Sequence, residues 1–378
     1  MTHRERVLTA LHHQEPDRVP LALWGSAYGI IDGPYKRLRQ FLEIHGPVPP
    51  PFRRNHGHTV NYMDDDVLAA LDVDVRYVWT GATDINSPYH GKGFDQLGIE
   101  WGKSGYQVYP IGFPLAEKSV EEIAAHKFPS AKDLFRVDEL RDRAKALAKE
   151  GEYAVYGRAP NSYGLYDQAS YLRGIEEFMV DFYYDPEAVH VLVDKIADWF
   201  VELYDLYLDV AGEYLDLIEL PGDDYAGTAG PIISTQHFDE FFKEPWQRVV
   251  SFIKSRKPDL HVLFHSDGDT TPFLPHFLEV GADVHHPLEF VPSLDMHHVK
   301  QTFGDRLTLI GGLDLKGKLR KSIEGTEEEI KRVLKALAPG GGFIFAPSNH
   351  VQVDVPPENL VHAFRFAREA GRYPIRLD

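Results

Sequence analysis

An α/β fold, the closed parallel (β/α)8 TIM barrel, is what the sequence predicts, on three observations. Eight short runs of β-branched, aliphatic and aromatic residues recur along the 378 residues. Each run leads into a loop with Gly, Asp or Pro and then into a helical pattern, which is the signature of βα units. No long structureless linker separates them, which favours one barrel domain over residues 1–378 rather than two domains. In order, the runs are Arg18 to Trp24, Asp74 to Trp79, Tyr153 to Gly157, Leu215 to Leu220, Leu260 to His265, Asp283 to His286, Leu307 to Gly311 and Gly342 to Ala346. Helical periodicity fills the intervals, as in Leu172 to Tyr184, Glu187 to Tyr207, Thr235 to Ser255 and Thr326 to Ala338.

Two stretches interrupt the alternation. Asp32 to Phe52, nearly all proline from Pro47 to Pro51, reads as an insertion after the first strand. Thr83 to Pro114 carries Tyr89, Phe94, Trp101, Tyr106, Tyr109 and Phe113 among many glycines, and reads as a β-hairpin excursion with aromatic cover after the second strand. Loops that follow barrel strands build the active-site face, so both insertions are expected over the mouth. Covering an edge, or a contact between two copies in a homodimer, is the equally weighted alternative.

Composition sets the class. With 43% hydrophobic and 26% charged residues the chain can bury a substantial core. The excess of 58 acidic over 40 basic residues, a formal charge of −18, argues against a general nucleic-acid surface. The absence of cysteine rules out disulfides, thiolate nucleophiles, Fe–S clusters and cysteine-ligated zinc, so any metal must use His and carboxylates. Met1 to Gln14 is charged and unlike a secretory signal, and the apolar windows are strand-length; a cytoplasmic protein without membrane contact is expected.

The strand ends hold the candidate chemistry. His265-Ser266-Asp267-Gly268-Asp269 closes the fifth run, and alternation puts His265 and Asp267 on one side of an extended chain. Such a pair can hold a divalent metal, or the carboxylate can fix an imidazole tautomer for acid/base work. The competing reading has Asp269 or Thr270 capping the next helix and His265 packed in the barrel. Ser348-Asn349-His350 follows Pro347 after the last run as a polar wall. Asp223 and Asp224 follow the fourth run; adjacent carboxylates can orient a substrate, or one can stabilise the turn. His285-His286, at the end of the sixth run, and His297-His298, on a helical stretch, are weaker metal signals; neighbours on a helix diverge, so the second pair is expected at the surface.

Several segments together carry a family resemblance: Arg6-Val7-Leu8 with Ala10-Leu11, Pro16-Asp17-Arg18-Val19-Pro20, His265 to Pro272, Gly281-Ala282-Asp283-Val284, Gly341 to Ile344 with Ala346-Pro347, and Pro356-Pro357-Glu358-Asn359. In this order they resemble the uroporphyrinogen decarboxylase superfamily, whose fold is a distorted (β/α)8 barrel with an N-terminal helical lead. True uroporphyrinogen decarboxylases hold their polycarboxylate substrate with arginines just after the first strand. The corresponding stretch here, Leu23-Trp24-Gly25-Ser26-Ala27-Tyr28-Gly29, has none. The corrinoid-related methyltransferase branch is the better likeness. Its members bind zinc through His-x-Cys after strand five and a further Cys after strand eight, positions that hold His265, Asp267 and a residue near Ser348 here. A serine is a poor zinc ligand, so a third ligand would fall to His350 or a nearby carboxylate.

The resemblance implies an enzyme that moves a methyl group to or from a corrinoid (cobalamin) carrier protein, acting on a small or medium polar molecule. Its expected catalytic residues are His265, Asp267 and His350, with Asp223, Asp224, Asn349, Ser348 and Trp24 binding substrate, and His265 and Asp267 holding a divalent metal such as zinc. A decarboxylase or other lyase acting on a non-porphyrin acid, and a non-catalytic ligand-binding barrel, are the alternatives.

Overall fold

The computed structural model describes residues 1–23, 29–46, 59–60, 63–80, 93–104 and 107–377. Seven parallel strands form one sheet in sequence order: Val75–Val78, Ala154–Gly157, Leu217–Glu219, His261–His265, Val284–Leu288, Thr308–Leu313 and Phe343–Pro347. Each lies within a few residues of an expected run, and all seven are buried along almost their whole length, as strands between a barrel interior and a helical layer must be.

The expected first strand forms no ladder among the described residues. Leu21 makes a single parallel bridge to Phe345, where Ala22 N–H donates to Phe345 O at 2.8 Å and Phe345 N–H to Pro20 O at 2.9 Å. On its other side Asp74 N–H donates to Leu21 O at 2.8 Å. The segment therefore spans the gap between the two edge strands and closes the ring. It stays irregular because Pro20 has no N–H to give and the Leu21 N–H goes to the Asp74 carboxylate at 2.6 Å instead of to a backbone.

That carboxylate organises the bottom of the barrel. The lead helix His3–Leu11, capped by Thr2 and Glu5, sends Arg6 to Asp74 at 2.6 Å and Arg4 to Asp216 at 2.8 Å. Arg18 adds two further bonds to Asp74, at 2.7 and 3.1 Å, and His3 another at 2.7 Å. Asp74 and Asp216 precede their strands, so these pairs clamp the lead onto the N-terminal face.

The stretch from Asp32 is more compact than expected. Asp32–Phe41 is a helix that accommodates Pro34 in its first turn and buries Tyr35 and Leu38, and Tyr35 donates to Asp64 at 2.7 Å. The proline run from Pro47 lies outside the described residues. The later excursion is an antiparallel pair, Glu100–Ser104 with Gln107–Gly112, as expected. Its Trp101 stacks on Tyr163, whose backbone bridges Gly222, so the hairpin packs over loops at the C-terminal ends of the strands. No helix among the described residues is long and apolar enough to cross a membrane.

One turn sets the position of the residues below. Gly268 has φ of +84°, and a Cβ there would meet the carbonyl carbon of Gly227 at 2.6 Å. Gly268→Ala is expected to lower stability by about 1–3 kcal/mol, from the left-handed backbone alone, before the clash is counted. The urea midpoint measures this, and an unchanged midpoint would show that the turn relaxes freely.

Candidate active site

Asp223 and Asp224 leave the Leu217–Glu219 strand in opposite directions. Asp223 is fully buried, and its carboxylate accepts Tyr166 N–H at 3.1 Å and Asp167 N–H at 2.9 Å, capping the Leu165–Arg173 helix from outside that helix's own sequence. Tyr225 donates to it at 2.5 Å, and Trp246 donates to the Tyr225 oxygen at 3.0 Å. A Cβ at Gly164 would fall 2.4 Å from Asp223, so only glycine fits at that cap. Asp223 thus supports the wall of the site, which fits the structural alternative the sequence offered for one of the two carboxylates and not the expected substrate contact.

Asp224 faces the mouth. Its Oδ1 accepts Asp267 N–H at 2.9 Å and stands 3.8 Å from His265 Nε2, while Asp267 Oδ1 is 3.6 Å from the same nitrogen. Asp267 Oδ2 accepts Asn349 Nδ2 at 2.5 Å, and its Oδ1 has no hydrogen-bond donor among the described residues. His265 is closed off from solvent, whereas the carboxylates keep 35% and 20% exposure for Asp224 and Asp267. One ligand atom from each of the three lies within 4.8 Å of the other two. Ligands about 2.1 Å from one ion in tetrahedral geometry stand about 3.4 Å apart, close to the 3.6 and 3.8 Å from His265 Nε2 to the two carboxylate oxygens. One imidazole and two carboxylates make a nitrogen and oxygen donor set that suits a divalent cation and leaves a side open for substrate. Of the third ligands the sequence offered, the carboxylate placed to complete such a set is Asp224.

The charges are unbalanced without such a cation. Burial, reinforced by Asp224 and Glu289, pushes the Asp267 carboxyl well above the usual range, and burial with Glu289 raises Asp224 to about 6. Burial drives His265 well below 6.5, with His286, His285 and His350 adding to the effect. Asp167, whose side chain lies 3.4 Å from Asp224 N, is pushed well above the carboxylate range by burial and then by Asp224 and Asp223. Glu289 accepts Gly268 N–H at 2.9 Å and pairs with Lys316. For the metal-free protein the sign is clear. Carboxyls that hold protons more tightly when folded stabilise the fold at acid pH and lose that contribution as pH rises through their folded values. The melting temperature of metal-free protein is expected to fall from pH 5 to about pH 7, and a divalent cation should abolish the fall; a flat profile would contradict the clustering.

The remaining sequence candidates separate. Asn349 bonds Asp267, and His350 lies near enough to depress the basicity of His265. Ser348 is buried, with its hydroxyl donated to Leu313 O at 3.0 Å, so it braces the strand instead of reaching a ligand. Of the two residues expected to cap the next helix, Asp269 accepts Thr271 N–H at 3.2 Å, whereas the Thr270 side chain makes no cap bond and meets His285 at 2.9 Å. His297 and His298 are exposed, and Trp24 lies outside the described residues. Sequence reading passed over Asp167, Tyr171 and Glu289. Asp167 and Tyr171 lie in the Leu165–Arg173 helix that follows the Ala154–Gly157 strand, where nothing local in the sequence marks them as part of the site.

Residues 111–370 match the family described as uroporphyrinogen decarboxylase (URO-D). The chain belongs to the uroporphyrinogen decarboxylase family. It is 24% identical over 178 residues to the uroporphyrinogen decarboxylase of Pseudoalteromonas atlantica, covering 46% of each chain, and 27% identical over 176 residues to that of Jannaschia sp., covering 47% of this chain and 48% of the relative. The chain thus spans about half the length of the curated relatives it matches. Its fold is similar to that of a methyltransferase from Methanosarcina mazei over 98% of both chains, with a TM-score of 0.68 and 18% identity. Uroporphyrinogen decarboxylase family membership makes the chain kin to enzymes, and leaves its own reaction to be argued from the site.

Proposed function

We propose that the protein is a metal-dependent methyltransferase that moves a methyl group between an oxygen of a small or medium polar substrate and a corrinoid carrier protein. The observation that carries this reading is the Asp224, His265 and Asp267 triad at the open end of the barrel. A divalent cation held there would supply Lewis-acid polarisation of a substrate oxygen. Hard oxygen donors replace the thiolates of a thiol-activating zinc site, so an oxygen centre suits the triad better than sulfur.

The chain's own residues do the rest. Asn349 fixes the Asp267 carboxylate. Asp167, whose burial and acidic neighbours favour its protonated form, hands a proton to the oxygen from which the methyl departs, and takes one up in the reverse direction. Trp101 and Tyr171, which meet Tyr163 as a packed cluster, wall off one side and limit the entry of water. Four carboxylates around the mouth, with Lys316 engaged by Glu289, make a poor home for a substrate with many carboxylates of its own.

The test is an incubation of metal-loaded protein with methylcobalamin and hydroxyl acceptors, and with reduced cobalamin and methoxy compounds, followed by cobalamin absorbance. Metal-dependent methyl transfer in either direction is expected, with uroporphyrinogen left unchanged. Carbon dioxide release from a non-porphyrin acid without methyl transfer would replace this reading with the lyase one, in which the Asp167 proton goes to a carbanion.

A further inference from the structure

Behind the triad stands a second histidine. Parallel pairing puts His265 opposite His286, and the ladder that His286 would make on its other side is interrupted between His285 and Leu288. Such a local irregularity re-aims a side chain, and here the two imidazoles stack with centroids 5.0 Å apart and Nδ1 atoms 2.8 Å apart. Both residues are fully buried. Alternation sends His285 the other way, to Thr270. The far nitrogen of His286, Nε2, lies 3.3 Å from the carbonyl oxygen of Pro347.

The hydrogens follow from what each atom can do. A carbonyl oxygen only accepts, so His286 Nε2 carries a hydrogen. A second hydrogen on that ring would place a charge in a site closed to water, at considerable cost. Neutral His286 therefore offers the lone pair of Nδ1, and His265 must donate its Nδ1–H across the 2.8 Å contact. The hydrogen of neutral His265 is then used, and its Nε2 presents a lone pair to the mouth, 3.6 Å from Asp267 Oδ1 and 3.8 Å from Asp224 Oδ1. Three electron-pair donors facing one another are an arrangement that a cation satisfies. The relay also returns to the site, because Pro347 begins the loop whose Asn349 holds Asp267.

We propose that His286 is a positioning residue that locks His265 in the Nδ1–H tautomer, so that Nε2 is the metal-binding atom. The proposal rests on the metal reading above. It acts as outer-shell partners of metal-bound imidazoles do, fixing tautomer and ring orientation, and changes in such partners alter metal affinity by about 10- to 100-fold.

The experiment uses metal-depleted full-length protein titrated with Co(II), read by visible absorbance and by competition with a chromophoric chelator. His286→Leu keeps bulk but cannot accept the hydrogen; it is expected to bind Co(II) about 10- to 100-fold more weakly with an altered absorption spectrum. His286→Gln, which can accept from His265 and donate to Pro347, should recover most of the affinity and the spectrum. A folded His286→Leu protein with wild-type affinity and spectrum overturns the proposal. Should that variant not fold, long-range 1H–15N correlation on wild-type protein decides: hydrogen on His265 Nδ1 supports the relay, and hydrogen on Nε2 overturns it. Failure of the wild-type protein to take up Co(II) would instead remove the metal reading, while the tautomer spectrum still reports on His286.

Discussion

Asp267→Asn is expected to lower metal-dependent methyl transfer by about 100- to 1000-fold, equivalent to about 3–4 kcal/mol of lost barrier reduction. The substitution keeps the shape of the side chain and a hydrogen bond with Asn349, but removes one of the two carboxylates with which the triad would hold a cation. The melting temperature of the metal-free protein should hold or rise, because Asp267 is crowded by Asp224 and Glu289, and burial already disfavours its charge. Turnover per folded molecule and the melting temperature together check this. A large fall in stability with turnover intact would make Asp267 a structural residue.

Asp74→Ala is expected to have the largest effect on stability, about 3–5 kcal/mol, from breaking a buried ion-pair network on one side only. Arg6, Arg18, His3 and the Leu21 N–H all converge on this fully buried carboxylate. Its loss strands two nearly buried guanidinium groups and frees the segment that closes the ring. Chemical denaturation measures the loss, and a change under 1 kcal/mol would show that Asp17 and Asp72 suffice for the arginines. Burial alone would raise the Asp74 carboxyl, but hydrogen bonds from His3, Arg18 and Leu21 and the charge of Arg18 hold it below the usual value. A depressed carboxyl stabilises the fold above its unfolded value and loses that contribution as pH falls through the folded one. The bottom of the barrel thus weakens in acid and the metal-free mouth weakens toward neutral pH, which places maximum stability of the metal-free protein in mildly acidic solution.

The architecture was readable because each strand couples an apolar run to a loop and a helix, a pattern local in sequence. The first strand broke that logic. Its run from Arg18 to Trp24 is as apolar as the others, but its ladder is lost to Pro20 and to a side chain, Asp74, far along the chain. In the site, His265 and Asp267 were legible from alternation alone. Which of Asp223 and Asp224 is structural was not, because it depends on the Leu165–Arg173 helix needing a cap from another loop. Ser348 looked like part of a polar wall, yet it spends its hydroxyl on Leu313, a neighbour created only by strand pairing. Asp167 stood in the first turn of a helix, where an acidic residue is ordinary. Only the barrel's closure brings it to Asp224.

The central claim is that Asp224, His265 and Asp267 bind one divalent cation. Isothermal titration of metal-depleted protein with Zn(II) at neutral pH tests it most directly. One equivalent should bind with release of protons, since Asp224 and Asp267 must give theirs up, and Asp267→Asn should lose most of that affinity. No uptake by the wild-type protein, or equal uptake by a folded protein with all three residues replaced by alanine, would contradict the account.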